Sequence, residues 1–387
     1  MKFTAQSDSL KLALSAVTDA ISSKLFRPEW AGVYIKAESE NSISLSCRND
    51  NYEIRKVLDD CDVQEFGDSL IPAKTLYDYV SLMDGDVTIQ TDESKAKIRS
   101  GGKNVSITVY ETDAYEPVGR QIDNSDIAIT MSGSSFADSV SRVSYCVSPD
   151  ASRLILTGIS VKVLPEEGIA EFVALDGFRV SLIKSGIISY TNALTWISEQ
   201  NQVAIVMPGE YAQKAVRLFS KSQSVTITTA NKMSSVLISD ETASIAFSLL
   251  AGQYIDYKRI IPTAFTTHIL ASADALLNAV KTAMFASGRK TPLVHISTAD
   301  NSVSIYATGA ETESTTSVDA LVNGNPIDIT FNGKYLVDSF THLPQGTESV
   351  SMDFSTNASP TLILPQNSDN AYCVDDYSIV LPVRTLN

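Results

Sequence analysis

Histidine, cysteine and tryptophan are scarce in this 387-residue chain, which has three, four and two of them. None of His268, His295 and His342 stands at metal-ligand spacing from another or beside a cysteine, so imidazole–thiolate metal sites are excluded. Cys47, Cys61, Cys146 and Cys373 form no CxxC pair, and the expectation is buried, reduced thiols rather than zinc ligands or disulfides. The GxSxG elbow, the HExxH helix and the GxxxxGK[ST] phosphate loop are missing too. Ser100-Gly101-Gly102-Lys103 lies between alternating segments and reads as a hairpin turn, not a phosphate cradle. Asp59-Asp60 and Asp375-Asp376 are adjacent in sequence, so in strands their carboxylates would point to opposite faces. No catalytic constellation remains, and the expectation is a protein that is not an enzyme and needs no cofactor and no metal.

Positive charge is also in deficit. Thirty Lys and Arg face forty-five Asp and Glu, for a net −15, whereas a tight, direct nucleic-acid binder displaces counterions with a basic face. No apolar run approaches the roughly 18 residues that a membrane helix needs. Polar residues follow Met1-Lys2-Phe3 at once, which argues against a secretory signal, and a cytoplasmic protein is expected.

What the chain does have is repetition. Phe3-Thr4-Ala5-Gln6-Ser7-Asp8-Ser9-Leu10 leads from a short strand through a Ser/Asp cap into a helix burying Leu10, Leu14, Val17 and Ile21. The pattern returns at Ile129-Thr130-Met131-Ser132, with Phe136, Val140, Val143 and Val147 at the same offsets, and at Ile269-Leu270-Ala271-Ser272-Ala273-Asp274. A second motif repeats in step: Ile71-Pro72-Ala73-Lys74, Met207-Pro208-Gly209-Glu210 and Phe331-Asn332-Gly333-Lys334. Proline suits a first helical turn, where its missing N–H has no partner. Each copy then enters an alternating strand, at Val87-Thr88-Ile89, Val225-Thr226-Ile227 and Val350-Ser351-Met352.

The fold expected is therefore α+β: three copies of a two-helix, mainly antiparallel-sheet domain, at residues 1–123, 124–262 and 263–387. The linkers are short, which implies domains held at fixed angles. Two stretches stand outside the repeat. One is Gly252-Gln253-Tyr254-Ile255-Asp256-Tyr257-Lys258-Arg259-Ile260-Ile261-Pro262; the other is the apolar run Ile379 to Arg384, which reads as a packed strand bordering a surface.

These residues resemble the bacterial DNA polymerase III β subunit family, the β sliding clamps that serve as processivity factors. The resemblance covers the whole chain. It rests on Met1-Lys2-Phe3-Thr4, the Asp176-Gly177-Phe178-Arg179 turn, Tyr257-Lys258-Arg259-Ile260-Ile261-Pro262, Phe331-Asn332-Gly333-Lys334-Tyr335 and Leu381-Pro382-Val383-Arg384, in that order on a threefold repeat. It implies a DNA-clamp fold, half of a closed, head-to-tail homodimeric ring that encircles double-stranded DNA without sequence preference. Enclosure would answer the charge deficit, since a ring needs only modest inner positive charge. The cations on or beside the repeated helices that would face DNA are Lys11, Lys24, Arg27, Arg142, Lys214, Arg217, Lys281, Arg289 and Lys334.

The resemblance further implies a pocket for short peptides of the replicative polymerase, the clamp loader and other polymerases and repair factors. Its residues would be Leu156, Leu175, Gly177, Phe178, Arg179 and Val180, then Ile255, Arg259 and Ile260, then Asn332, Tyr335, Ala358, Pro360, Leu381, Pro382, Val383 and Arg384. Leu175 and Phe178 make this pocket more apolar than the family pattern. The dimer interface would use the edge from Lys103 to Ile107, with Val105 and Ile107, against Met284 and Phe285. The competing reading is a repeat scaffold that recruits proteins without encircling DNA.

Overall fold

The computed structural model of the protein describes residues 1–22, 27–37, 39–116, 125–194, 203–288, 290–366 and 376–384. The first copy contains β1 (Lys2–Gln6), α1 (Ser7–Thr18), β2 (Gly32–Ala37), β3 (Ile43–Arg48), β4 (Tyr52–Leu58) and β5 (Cys61–Glu65), then β6 (Gly67–Pro72), α2 (Ala73–Ser81), β7 (Asp86–Thr91), β8 (Lys95–Ser100) and β9 (Lys103–Thr108). The second repeats that order as β10 (Ser125–Met131), α3 (Gly133–Ser144), β11 (Gly158–Leu164), β12 (Ile169–Leu175), β13 (Arg179–Gly186) and β14 (Ser189–Asn192), then β15 (Val203–Pro208), α4 (Gly209–Phe219), β16 (Val225–Ala230), β17 (Ser235–Ser239) and β18 (Ala243–Ser248). In the third, β19 (Thr267–Ser272), α5 (Ala273–Ser287), β20 (Leu293–Ala299) and β21 (Ser302–Thr308) precede one long strand, β22 (Glu313–Gly324). It stands in place of the fourth and fifth strands, and β23 (Asp328–Asn332), α6 (Gly333–Thr341), β24 (Ser349–Phe354), β25 (Thr361–Gln366) and β26 (Asp376–Val380) complete the copy.

The residues divide into two compact units. The unit made of Met1–Phe136, Ile187–Ser198 and Lys214–Leu249 holds a five-stranded sheet, β5-β1-β7-β8-β9, and a nine-stranded one, β14-β10-β16-β17-β18-β4-β3-β2-β6. The unit made of Ala137–Gly186, Glu199–Gln213 and Leu250–Asn387 holds a twelve-stranded sheet, β15-β11-β12-β13-β26-β25-β24-β19-β22-β21-β20-β23. Among the described residues every pair of neighbouring strands is antiparallel, as the alternating patterns require. In each unit one joint crosses between copies: β18 pairs with β4, and β26 pairs with β13.

The helices begin on small residues, Ser7, Ala73, Gly133, Gly209, Ala273 and Gly333, all buried. Space explains the choice. A Cβ on Gly133 would lie 2.3 Å from the Phe219 carbonyl oxygen, and one on Gly333 would lie 2.4 Å from Met284 Cγ. The serine cap expected from sequence forms at Ser132, whose Oγ accepts from Ser135 N at 3.0 Å, and at Ser272, which accepts from Ala275 N at 3.4 Å. It does not form in the first copy, because Ser7 is already helical and buried and Gln6 holds the cap position without a side-chain capping bond, its amide donating to Asp86 instead. Pro72 and Pro208 likewise end strands instead of opening helices, and Asn332 at the equivalent position caps α6 through Lys334 N at 3.2 Å.

Candidate functional site

Five of the expected pocket residues converge on one apolar cluster of the second unit. Leu156, Leu175 and Val180 are buried there with Val173, Leu182, Tyr257 and Ile379, and Ile260 and Leu381 pack against it half-exposed. The first three therefore form a floor and offer little contact area of their own. What rises above them is set by the turn between β12 and β13. Gly177 adopts φ +95°, a conformation that glycine takes without strain, and Asp176 Oδ1 accepts from Phe178 N at 2.9 Å and Arg179 N at 3.0 Å. The turn pushes Phe178 outward, where it is 54% exposed and stacks on Tyr335 of α6 with ring centroids 6.0 Å apart.

Arg179 holds this corner together. Its guanidinium lies 4.6 Å from the Tyr335 ring centroid and 5.1 Å from that of Tyr145, bonds Asp176 at 3.0 Å and Asp338, and donates to the Tyr145 carbonyl at 2.6 Å. Burial would lower its pKa, but the bond to Asp338 and the surrounding charges outweigh that and raise it further. A planar, permanently charged fork suits such a site better than a lysine would. The chain after β26 closes the rim: Leu381 N donates to the Phe178 carbonyl at 2.9 Å and Val383 N to the Thr330 carbonyl at 2.7 Å. Residues 381–384 are thus docked without being a strand, and Pro382 and Val383 are half-exposed with Arg384 at the surface.

The remaining expected residues are less central. Ile255 is exposed, and Arg259 projects into solvent with Asp256 at 2.8 Å. Asn332 is buried and occupied in capping α6. Ala358 and Pro360 sit in the turn between β24 and β25. Sequence reading missed Tyr254, which accepts from Leu175 N at 3.2 Å and donates to the Gly158 carbonyl at 3.4 Å. Its signal was the pair of tyrosines at the junction. It also missed Tyr145 and Asp338, for which the chain carried no local sign.

Two of the cations expected to face DNA, one buried and one half-buried, are engaged by carboxylates of the same chain. Arg142 is buried, pairs with Asp376 at 2.8 Å and Asp138 at 3.2 Å, and donates to the His342 carbonyl at 3.1 Å. Lys214 lies 5.3 Å from the Tyr52 ring centroid and pairs with Asp19 at 2.9 Å. Burial lowers its pKa, and the hydrogen bonds to Asp19 and Tyr52 more than restore it. In both cases a carboxylate of the same chain takes the place of solvent. Arg217, Lys281 and Lys334 are exposed, and Arg27 is exposed beside Trp30. Lys11 is partly shielded and pairs with Asp8 at 3.3 Å. Lys24 and Arg289 lie outside the described residues.

Of the expected interface residues, Val105 is half-buried and Phe285 is 89% exposed. Ile107 is buried in its own domain and Met284 packs on the core below α5, so neither side chain offers much surface; both face inward because an edge strand and a helix end still need a hydrophobic side. Cys47, Cys61 and Cys146 are buried free thiols; burial pushes Cys61 up to about 12. Cys373 lies outside the described residues. Among the described residues no cluster of His, Cys, Asp or Glu is gathered for a metal, and no helix is long and apolar enough to cross a membrane.

Three successive copies of a two-helix antiparallel domain, with a capped apolar corner where the second meets the third, define the sliding-clamp class of DNA-replication proteins. The comparisons agree copy by copy. Residues 1–119 match the N-terminal domain of the DNA polymerase III beta subunit, 130–256 its central domain and 258–377 its C-terminal domain. The chain belongs to the DNA polymerase III beta subunit family. It is 24% identical over 372 residues to the beta sliding clamp of Synechococcus elongatus, covering 94% of this chain and 96% of that one. It is also 24% identical over 398 residues to that of Staphylococcus aureus, covering 100% of both. The sliding clamp of Bacillus subtilis superposes with a TM-score of 0.88 at 23% identity, and a Pseudomonas aeruginosa clamp solved bound to griselimycin does so with 0.88 at 21%, each covering 100% of both chains.

Proposed function

We propose that two copies of this chain, each with domains at 1–123, 124–262 and 263–387, close head to tail into a ring around duplex DNA in the cytoplasm. The ring carries the replicative polymerase and its exchange partners along the duplex and catalyses nothing itself. The observation that carries this reading is the repeated joint. The last strand of the second copy pairs with β4 of the first, and the last strand of the third pairs with β13 of the second. That leaves β9 with a partner on one side only, and leaves Glu313–Asp319 of β22 with β21 on one side only, among the described residues. One unfilled edge of each kind per chain is what head-to-tail closure consumes.

Arg217, Lys281, Lys334, Arg27 and Lys11 are the described cations that would meet phosphates. With a net charge of −15 on the chain, holding by enclosure rather than adhesion fits the charge. The partner peptide would lie over Phe178, Tyr335, Ile255 and Leu381. Burying two large apolar side chains is worth about 3 to 6 kcal/mol before ordering costs, which gives micromolar affinity and lets partners exchange.

The test of enclosure is retention on nicked circular DNA after loading by a clamp loader, followed by release when the circle is cut. Release on cutting is expected; a protein that stays, or never depends on a closed circle, is the scaffold instead. For the pocket, removal of residues 381–387 should abolish binding of a polymerase peptide while the dimer persists. Unchanged affinity would rule the pocket out.

A further inference from the structure

The first joint has its own version of the corner that makes the pocket at the second. β2, β3 and β4 pair in the register of β11, β12 and β13: Tyr34, Ser46 and Arg55 form one row, and Ser160, Val173 and Leu182 form the matching one. The turns match as well. Asn49 Oδ1 accepts from Asn51 N at 2.8 Å and Tyr52 N at 3.1 Å, as Asp176 Oδ1 does from Phe178 N and Arg179 N. The three buried residues that floor the pocket, Leu156, Leu175 and Val180, therefore have counterparts in Trp30, Arg48 and Glu53. An indole, a guanidinium and a carboxylate stand where the second joint is apolar.

The guanidinium is held in place while its charge goes unanswered. Arg48 Cζ lies 4.9 Å from the Trp30 ring centroid, and Arg27 Cζ lies 5.7 Å from it. Arg48 Nη1 donates to the Glu116 carbonyl and Nε to the Asn49 carbonyl at 3.3 Å. Among the described residues its Nη2 makes no hydrogen bond, and no carboxylate stands at ion-pair distance from Arg48 or Arg55. Glu53, which faces Arg48 across the strand pair, is buried and accepts from Tyr115 Oη at 3.0 Å, and Tyr115 in turn stacks on Tyr34 with centroids 5.0 Å apart. Arg55, two residues along the same face of β4, is exposed between the small Ser46 and Ser244. Arg142, Arg179 and Lys214, by contrast, each have a carboxylate.

From this we infer that the first joint carries a docking site of its own, for an acidic, extended segment of a partner protein. One carboxylate sits on Arg48, the next but one sits on Arg55, and the methylenes of the first pack against Trp30. The spacing fits. Diagonal neighbours on paired strands lie about 7 to 8 Å apart, and alternate residues of an extended segment lie about 6.6 Å apart on one side. The surroundings favour a peptide over a nucleic acid. Glu29 precedes Trp30, Asp50 follows Arg48 in the turn, and Glu116 lies against Arg48 through its carbonyl. These acids repel a run of phosphates, whereas carboxylates at alternate positions can be set on the arginines alone. α1 packs on the other face of β3 and β4, where Tyr52 Oη donates to the Asp19 carbonyl at 2.7 Å, so on the ring reading above the site faces away from the duplex. Nothing else in the inference needs the ring, because all these residues lie in one unit of one chain.

The experiment uses the full chain and, as probe, a fluorescein-labelled synthetic peptide of alternating glutamate and serine, titrated by fluorescence anisotropy at low salt. Saturable binding of one peptide per chain is expected. Arg48→Glu and Arg55→Glu should each weaken it about fivefold, and the double variant should refuse this peptide and take up its lysine-for-glutamate counterpart. Thermal melts show whether each variant has folded, and Arg55→Glu, at an exposed site, carries the test if Arg48→Glu does not fold. An excess of a polymerase peptide should not displace the probe. No saturable binding, binding indifferent to both substitutions, or displacement by the polymerase peptide overturns the inference. Binding of oligothymidylate through the same arginines, with none of the acidic peptide, overturns it too and makes this a site for single-stranded nucleic acid.

Discussion

Where β18 meets β4, Ile245 faces Ile54 and both are sealed from solvent; where β26 meets β13, Ser378 faces Ser181 at the same position. The first joint is apolar at this position. At the second, Tyr145 Oη bonds Ser378 Oγ at 2.8 Å, Ser181 Oγ donates to the Arg142 carbonyl at 3.1 Å, and Arg142 pairs with Asp376 at 2.8 Å. An identical backbone arrangement thus has two kinds of fastening. The second joint also presents Phe178, exposed at the turn before β13, on the face that the proposed function gives to a partner peptide.

The sharpest way to break the second joint is Arg142→Ala. Asp376 would be left buried without its counter-charge, and unfolding in denaturant should show a loss of about 3 to 5 kcal/mol in the second unit. The matching insult to the first joint is Ile54→Ala, which removes packed methylenes without stranding a charge. It should cost about 2 to 4 kcal/mol by the same measurement. If the arginine variant proves the milder of the two, the polar joint is not the anchor argued for above.

Phe178→Ala tests what the second joint presents rather than what holds it. Its ring is mostly exposed, so the melting temperature should barely move, while peptide affinity measured by calorimetry should fall about 5- to 30-fold. At the first joint the position equivalent to Phe178 is Asn51, so Ile54→Ala should leave that affinity unchanged.

The smallest effect concerns pH at the first joint. Asp240 in the turn between β17 and β18 is partly buried, which raises its pKa, but it accepts from Ser222 Oγ at 2.6 Å and from Thr242 N and Ala243 N at 2.7 Å each, and the net shift is downward. A depressed folded pKa means that its contribution is complete above the ordinary carboxylate range and is lost as pH falls through the folded value. Asp240→Asn should therefore cost about 1 kcal/mol near neutrality, after allowance for solvent screening, and the gap should close in melts at pH values below the ordinary carboxylate range.

The three copies, their helices and their hairpins were legible in the sequence because hydrophobic period and turn chemistry are local: Asp176-Gly177 and Gly101-Gly102 fold as the turns their residues require. Ser7 and Pro72 misled for the opposite reason, since the neighbouring helix decided which residue would be the first helical one. Phe178, Arg179 and Leu381 could be marked as one site only by family resemblance, as Leu381 is far along the chain from the other two. That Arg142 and Lys214 would be spent on Asp376 and Asp19 could not be read at all. A lone cation on a helix carries the same local pattern whether it faces water or a carboxylate more than 190 residues away. The sequence alone determined the secondary structure and its threefold order, because those depend on neighbours within a few residues. Only the tertiary structure decided which charges are free, which apolar groups stay exposed and which strand edges go unpaired, because burial is a property of the packed chain.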